Sequence, residues 1–182
     1  MRHADPTAAL ELRPLLPGDP LDELTAMLHR AYRPLAERGM QYLASHQDTA
    51  MTRTRALGPG CECIVALCGG AFVGTIALTR AGWSKGTPWY ERPGVAAFGQ
   101  FAVDPAHQGR GIGGLLLGWA EARAAESGAA ELACDTSEHA HDLIRLYTAR
   151  GYRAVETVRW DVTNYRSVVL SKALVAAAQG SE

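Results

Sequence analysis

No stretch of the sequence approaches the ~20 consecutive apolar residues a bilayer-spanning helix needs, so no membrane partner is expected. A basic excess is missing too. Lysine and arginine number 18 against 19 aspartates and glutamates, a net charge of −1, which argues against a nucleic-acid partner. Cysteine is sparse, and the spacing of Cys61, Cys63, Cys68 and Cys134 fits neither a zinc ribbon nor a C-x-x-C redox pair. Reduced thiols and no metal site are expected. Met1 to Asp5 leads into no apolar run, so no secretory signal is expected and the reading is cytoplasmic. The G-x-x-x-x-G-K-[ST] phosphate loop is absent, as are internal repeats and low-complexity segments.

What is present is an ordinary globular composition, 47% apolar and 20% charged. The length of 182 residues suits a single domain over 1–182, with its core over about 10–172. The pattern predicts a strand at 10–16, then a helix capped by Asp19 that opens at Pro20 and stops before Pro34. Further helix follows over 35–57, broken near Gly39. "CECIVALCGGAFVGTIALTR" reads as a hairpin turning at Cys68-Gly69-Gly70. Residues 81–94, with three glycines and two prolines, form a long loop. A strand is expected at 95–103 and a helix at 114–127, with Leu115, Leu116, Trp119 and Ala122 toward the core. A strand at 130–135, a helix at 141–150, strands at 153–161 and 166–170 and a frayed tail after Lys172 complete the order β-α-α-β-β-β-α-β-α-β-β.

"FAVDPAHQGRGIGG", from 101 to 114, crowds glycine and one arginine where a strand gives way to a helix. A helix N-terminus offers unpaired amides and a partial positive charge to phosphate oxygens. Glycine at 109, 111 and 113 would let a diphosphate approach the backbone, and Arg110 adds a fixed charge. Two other readings stand beside this one. Gly109, Gly111 and Gly114 also spell the dinucleotide fingerprint G-x-G-x-x-G with Asp135 downstream, although the upstream hairpin and two final strands suit a parallel doubly wound sheet poorly. Alternatively, the glycines serve packing alone.

"QGRGIG" resembles the Q/R-x-x-G-x-G/A signature of the GNAT superfamily of acyl-CoA-dependent N-acyltransferases, and "LYTARGY", from 146 to 152, resembles that family's L-Y-x-x-x-G-F/Y. A helix and a strand separate the two motifs, as in the family. The resemblance implies an α/β fold of mixed type: a mostly antiparallel sheet of about seven strands with a splayed parallel pair, β4 and β5, and about four helices. Acetyl-CoA would be the co-substrate. The pantetheine arm would lie in the splay along Phe101, Ala102 and Val103, with the pyrophosphate on Gln108, Gly109, Arg110, Gly111, Ile112, Gly113 and Gly114. Relatives often carry an Asn seven residues before the motif tyrosine; here that position is Ala140.

Acyl transfer to a primary amine of pKa about 10 requires loss of a proton. The strand at 95–103 has no carboxylate or imidazole. Its polar side chain, Gln100, can orient a water or the acceptor but cannot take a proton near neutrality. Asp135 or Glu91 would then supply the acid of a relay. Tyr147 matches the family's general acid for the leaving thiolate, and its other reading is a core tyrosine beside Leu143 and Ile144. The segments that build the acceptor side in the family here supply Tyr32, Gln47, Trp83, Trp89 and Asp135, which suits a small-molecule amine with an apolar body. Trp83 and Trp89 have a second reading as a roof over the sheet. Asn164, Tyr165 and Arg166 would line the site or a homodimer contact. Transfer to a protein N-terminus and a non-catalytic CoA-binding sensor are the competing functions.

Overall fold

The hairpin anchors the architecture of the computed structural model, which describes residues 9–175. Strand β2 (Cys61–Cys68) ends and β3 (Ala71–Thr79) begins around Gly69 and Gly70, both at positive φ (58° and 79°), as a two-residue hairpin turn requires. β1 (Leu10–Pro14) pairs with β2 on the outer side. β4 (Val95–Val103) follows β3, β5 is Glu131–Ser137, β6 is Arg153–Arg159 and β7 is Arg166–Ala173. The seven strands lie in the order β1-β2-β3-β4-β5-β7-β6. Every neighbouring pair is antiparallel except β4 with β5. One parallel pair in a mostly antiparallel sheet is incompatible with the doubly wound alternative.

Alternating residues of β2 bury on opposite faces, which is why the strand reads as a continuous apolar run. Ile64, Ala66 and Cys68 join α3 (Ile112–Glu126), while Cys63, Val65 and Leu67 join α1 (Leu21–Glu37). α2 (Thr49–Leu57) lies on the α1 side, and α4 (His141–Ala149) sets Tyr147 into the α3-side core. All four cysteines are free thiols.

The feature that positions the site is the way β4 leaves β5. They share three residue pairs, Val95↔Glu131, Ala96↔Leu132 and Ala97↔Ala133, and then diverge. Across the β3–β4 ladder, Thr75 faces Ala102 but Ala77 faces Gly99, so β4 carries an extra residue. That residue sits at Gln100, whose φ of 46° is the positive value held by a non-glycine among the described residues. A bulge kinks its strand and adds twist, which turns the end of β4 away from β5.

Several sequence expectations give way. α1 runs through Pro34 to Glu37. The proline removes the bond to the Arg30 carbonyl, but Leu35 packs with Met40 and Tyr42 and holds the final turn. Asp19 does not cap α1. Pro20 is the N-cap, and the Asp19 carboxylate instead accepts from Arg13 at 2.7 and 2.9 Å and from the Leu16 amide at 2.8 Å. The 35–57 stretch divides into the end of α1, one 3-10 turn at Leu43–Ser45 and α2. In α3 the core face is Ile112, Leu116, Leu117, Ala120 and Ala124, and Leu115 is 52% exposed. The first five residues and the end of the tail lie outside the described residues.

Candidate functional site

Asp104 fixes where the glycine loop starts. Its carboxylate caps the Ala106 amide at 3.1 Å and takes the Arg30 guanidinium at 2.7 Å, tying the end of β4 to α1. Gly109 and Gly111 then turn the chain at φ of 75° and 81° into α3, whose N-cap, Gly111, makes no side-chain cap. The first amides of α3 therefore point out of its end without an intrahelical acceptor. A Cβ at 109 or 111 would meet no protein atom within 4 Å, so these glycines are not there for packing. The open space before them is where a diphosphate fits. Arg110 is exposed beside the loop, its Nη1 donating to Nδ1 of His107 at 2.9 Å.

A cleft of about 470 Å³ runs from this loop into the splay, lined by Gln108, Gly109, Gly111, Ile112, Gly113 and Phe101 to Val103 on one side and by α1 and α4 on the other. Arg110 and Gly114 border the loop without lining it. Ala140, where an asparagine was expected, lies in its wall and is buried. Tyr147 also faces the cleft, within edge-on or tilted ring contact of Phe98, Phe101 and Tyr152. Both readings of Tyr147 hold together: the ring is core, and the hydroxyl has no partner among the described residues. Burial pushes its phenol well above the ordinary value of 10.0. Tyr32 lines this cleft rather than the acceptor side, and its hydroxyl donates to the Phe101 carbonyl at 3.0 Å.

On the far side of β4 lies a second cavity of about 310 Å³, lined by residues that include Arg55, Trp83, Lys85, Tyr90, Gly99, Gln100 and Asp135. Asp135 lines both cavities. Its position follows from the sheet, because it is the residue one pleat beyond the last β4–β5 pair. Tyr90 Oη donates to its Oδ1 at 3.0 Å and Trp160 Nε1 to its Oδ2 at 2.9 Å, fixing the carboxylate. Trp83 seats its ring on Gly60, where a Cβ would lie 2.2 Å from the indole and φ is 74°. Trp89 lines neither cavity. The Arg92 guanidinium stacks 3.9 Å from its ring centroid and its amide donates to Glu156 at 3.1 Å, so it roofs the sheet.

Gln47 does not reach the acceptor directly. It is buried, and its side chain links Arg55 to Gln100: Arg55 Nη1 donates to Gln47 Oε1 at 2.6 Å, and Gln47 Nε2 donates to Gln100 Oε1 at 2.6 Å. Asn164 is used within the chain, accepting from the Gln41 amide at 2.9 Å and donating to the Gly39 carbonyl at 2.8 Å. Arg166 pairs with Glu138 at 2.8 Å, and Tyr165 packs on Tyr42.

The sequence pattern of the Acetyltransferase (GNAT) family matches residues 21–152. The chain belongs to that family. A Bacillus subtilis protein, S-(2-succino)cysteine N-acetyltransferase, is 30% identical over 103 residues, which span 55% of this chain and 57% of that protein. Among solved structures, the ribosomal-protein-S18-alanine N-acetyltransferase of Escherichia coli superimposes with a TM-score of 0.70 at 15% identity, covering 96% of this chain and 99% of that one. A GNAT family acetyltransferase from Elizabethkingia anophelis with acetyl-CoA bound does so with a TM-score of 0.59 at 18% identity, covering 91% and 98%. At such identities the structural likeness concerns the fold. The GNAT motifs identified the loop and Tyr147, whereas Arg55 and Lys85 carry no motif. The one sequence signal for Arg55 is its place on α2 between Thr52 and Ala56, both buried.

Proposed function

We propose that the protein transfers an acetyl group from acetyl-CoA to the primary amine of a small molecule by direct attack on the thioester. The observation that carries this reading is the pair of cavities meeting at Asp135, one opening on uncapped helix amides and the other on polar and aromatic side chains. Residues 108–113 hold the pyrophosphate through main-chain amides, and the unpaired edge of β4 at Phe101 to Val103 holds the arm. The co-substrate supplies an activated acyl group. A backbone amide at the Gln100–Phe101 bulge donates to the carbonyl oxygen as charge develops there. Tyr147 donates its phenolic hydrogen to the departing sulfur. Asp135 receives the acceptor's ammonium and takes its proton, directly or through a water held by Gln100.

A small acceptor is favoured over a protein N-terminus because Trp83, on Gly60, and Tyr90 wall the second cavity. The Bacillus subtilis relative's acceptor, by its name, is also a low-molecular-weight amine. A thiol-release assay with acetyl-CoA and a panel of small amines and N-terminal peptides tests the reading. Turnover of small amines is expected, with Asp135→Asn lowering kcat/KM about 10²-fold. Acetyl-CoA binding without turnover of any amine would instead favour a sensor.

A further inference from the structure

Arg55 is the one feature of the second cavity that acyl transfer does not by itself require. It projects from α2 toward β4, where its Nη2 lies 3.4 Å from the position a Cβ would take at Gly99. Its hydrogen-bond partner is the neutral Gln47, and no carboxylate pairs with it among the described residues. Burial pulls it below its ordinary value of 12.5, as expected for a desolvated cation, yet a guanidinium stays charged near neutrality. A half-buried cation without a counter-ion is costly, and elsewhere this chain pairs its half-buried arginines: Arg123 with Glu62, Arg150 with Glu121 and Arg30 with Asp104.

The polarity of the relay follows from Arg55 alone. A guanidinium only donates, so Gln47 must present Oε1 to it and Nε2 to Gln100. Gln100 must then receive that hydrogen on Oε1, which leaves its own Nε2 as a donor without a partner among the described residues. The bulge holds Gln100 in the cavity wall, so the site has two convergent kinds of donor, a guanidinium and an amide, with Lys85 at the exposed rim. The one anion of that wall is Asp135, whose oxygens are engaged by Tyr90 and Trp160. Two cations and one anion complement a molecule that carries an ammonium and at least one carboxylate.

We infer that Arg55 and Gln100 Nε2 receive a carboxylate of the acceptor, so that the acetylated amine belongs to a free amino acid or a close analogue whose ammonium lies at Asp135. This rests on the acyl-transfer reading. A peptide N-terminus lacks that nearby carboxylate, and a simple alkylamine leaves Arg55 uncompensated.

The test uses the twenty amino acids as free acids, as carboxamides and as decarboxylated amines, with the intact protein and acetyl-CoA. The wild type is expected to turn over one or more free acids with kcat/KM at least about tenfold above the matching carboxamide. Arg55→Ala should lower kcat/KM for the free acid about 10²-fold, mainly through KM, and erase the preference. Arg55→Lys should fall between, because the ammonium keeps the charge and loses the planar fork. Should Arg55→Ala fail to fold, Gln100→Glu decides the matter: it keeps an acceptor for Gln47, places a negative oxygen where the donor was, and should reverse the preference toward the carboxamide. Coenzyme A affinity within about threefold of wild type identifies the variants whose fold is intact. Wild-type turnover that ignores the carboxylate, or a preference unchanged in Arg55→Lys and Gln100→Glu, overturns the inference and leaves acyl transfer standing. If no amine turns over, acyl transfer itself is overturned. Calorimetry of N-acetylated free acids and carboxamides on the coenzyme A complex then decides the carboxylate site, which equal binding overturns and binding of the free acids tighter by about tenfold supports.

Discussion

Tyr147 shows how a residue can serve the core and the chemistry at once. Its ring is locked among Phe98, Phe101 and Tyr152, which fixes the hydroxyl at the cleft without a hydrogen bond to hold it there. Desolvation raises the phenol well above 10.0, far from a thiol at about 8.5. Full proton transfer to the sulfur is therefore uphill, and hydrogen-bond donation is the role that suits it. Because the raised group stays neutral below its folded value, kcat should show no decline from its ionisation between pH 7 and about 10. Tyr147→Phe is expected to lower kcat about 10²-fold while leaving coenzyme A affinity within about threefold, measured by steady-state kinetics and calorimetry. An unchanged kcat would leave Tyr147 as a core residue alone. This role was legible because a motif marks the residue. Arg55 was not, since one arginine near the end of a short helix reads as solvated; its neighbour Arg53 is indeed exposed, and only the fold turns position 55 toward β4.

At the scale of elements, the order of strands and helices was legible because each apolar run has a definite period and each turn its glycine or proline. The misplaced details share one cause: local signals were outvoted by packing at a distance. Pro34 should end a helix, but Leu35 buries against Met40 and Tyr42, and one turn survives. On α3, several small and apolar residues make the helix nearly uniform in hydrophobicity, so periodicity alone could not choose its face. The structure chooses Leu116, fully buried against Ile64, Ile76 and Leu132, over Leu115. Leu116→Ala should therefore destabilise the protein by about 2–5 kcal/mol, through lost burial and the cavity left behind. Leu115→Ala should change stability by no more than about 0.5 kcal/mol. Urea midpoints of the two variants measure the difference, and equal midpoints would place the helix in the wrong rotation.

For the whole molecule, the decisive property is a sheet that is continuous at one end and open at the other. Three β4–β5 pairs close it at Val95 to Ala97; beyond them each strand keeps its outer partner, β3 or β7, and turns an unpaired edge toward the gap. An open edge inside a sheet invites a strand-like guest, and a pantetheine arm with its two amides can pair there as a missing strand would. Neither the bulge at Gln100 nor the depth of the gap was legible in the sequence, because both depend on the register between strands distant along the chain. If the gap is the arm's berth, acetyl-CoA should slow hydrogen exchange at the gap-facing amides of residues 100–103 and 135–137 and at residues 109–114. Those of residues 95–97, already paired, should gain no more than the general stabilisation. At a free ligand concentration of 100 times Kd that stabilisation is about 2.7 kcal/mol, or a rise in Tm of roughly 5–10 °C for a chain of this size. Protection confined to residues 109–114 would leave the pyrophosphate cradle intact but would place the arm, and with it the thioester, somewhere other than between β4 and β5.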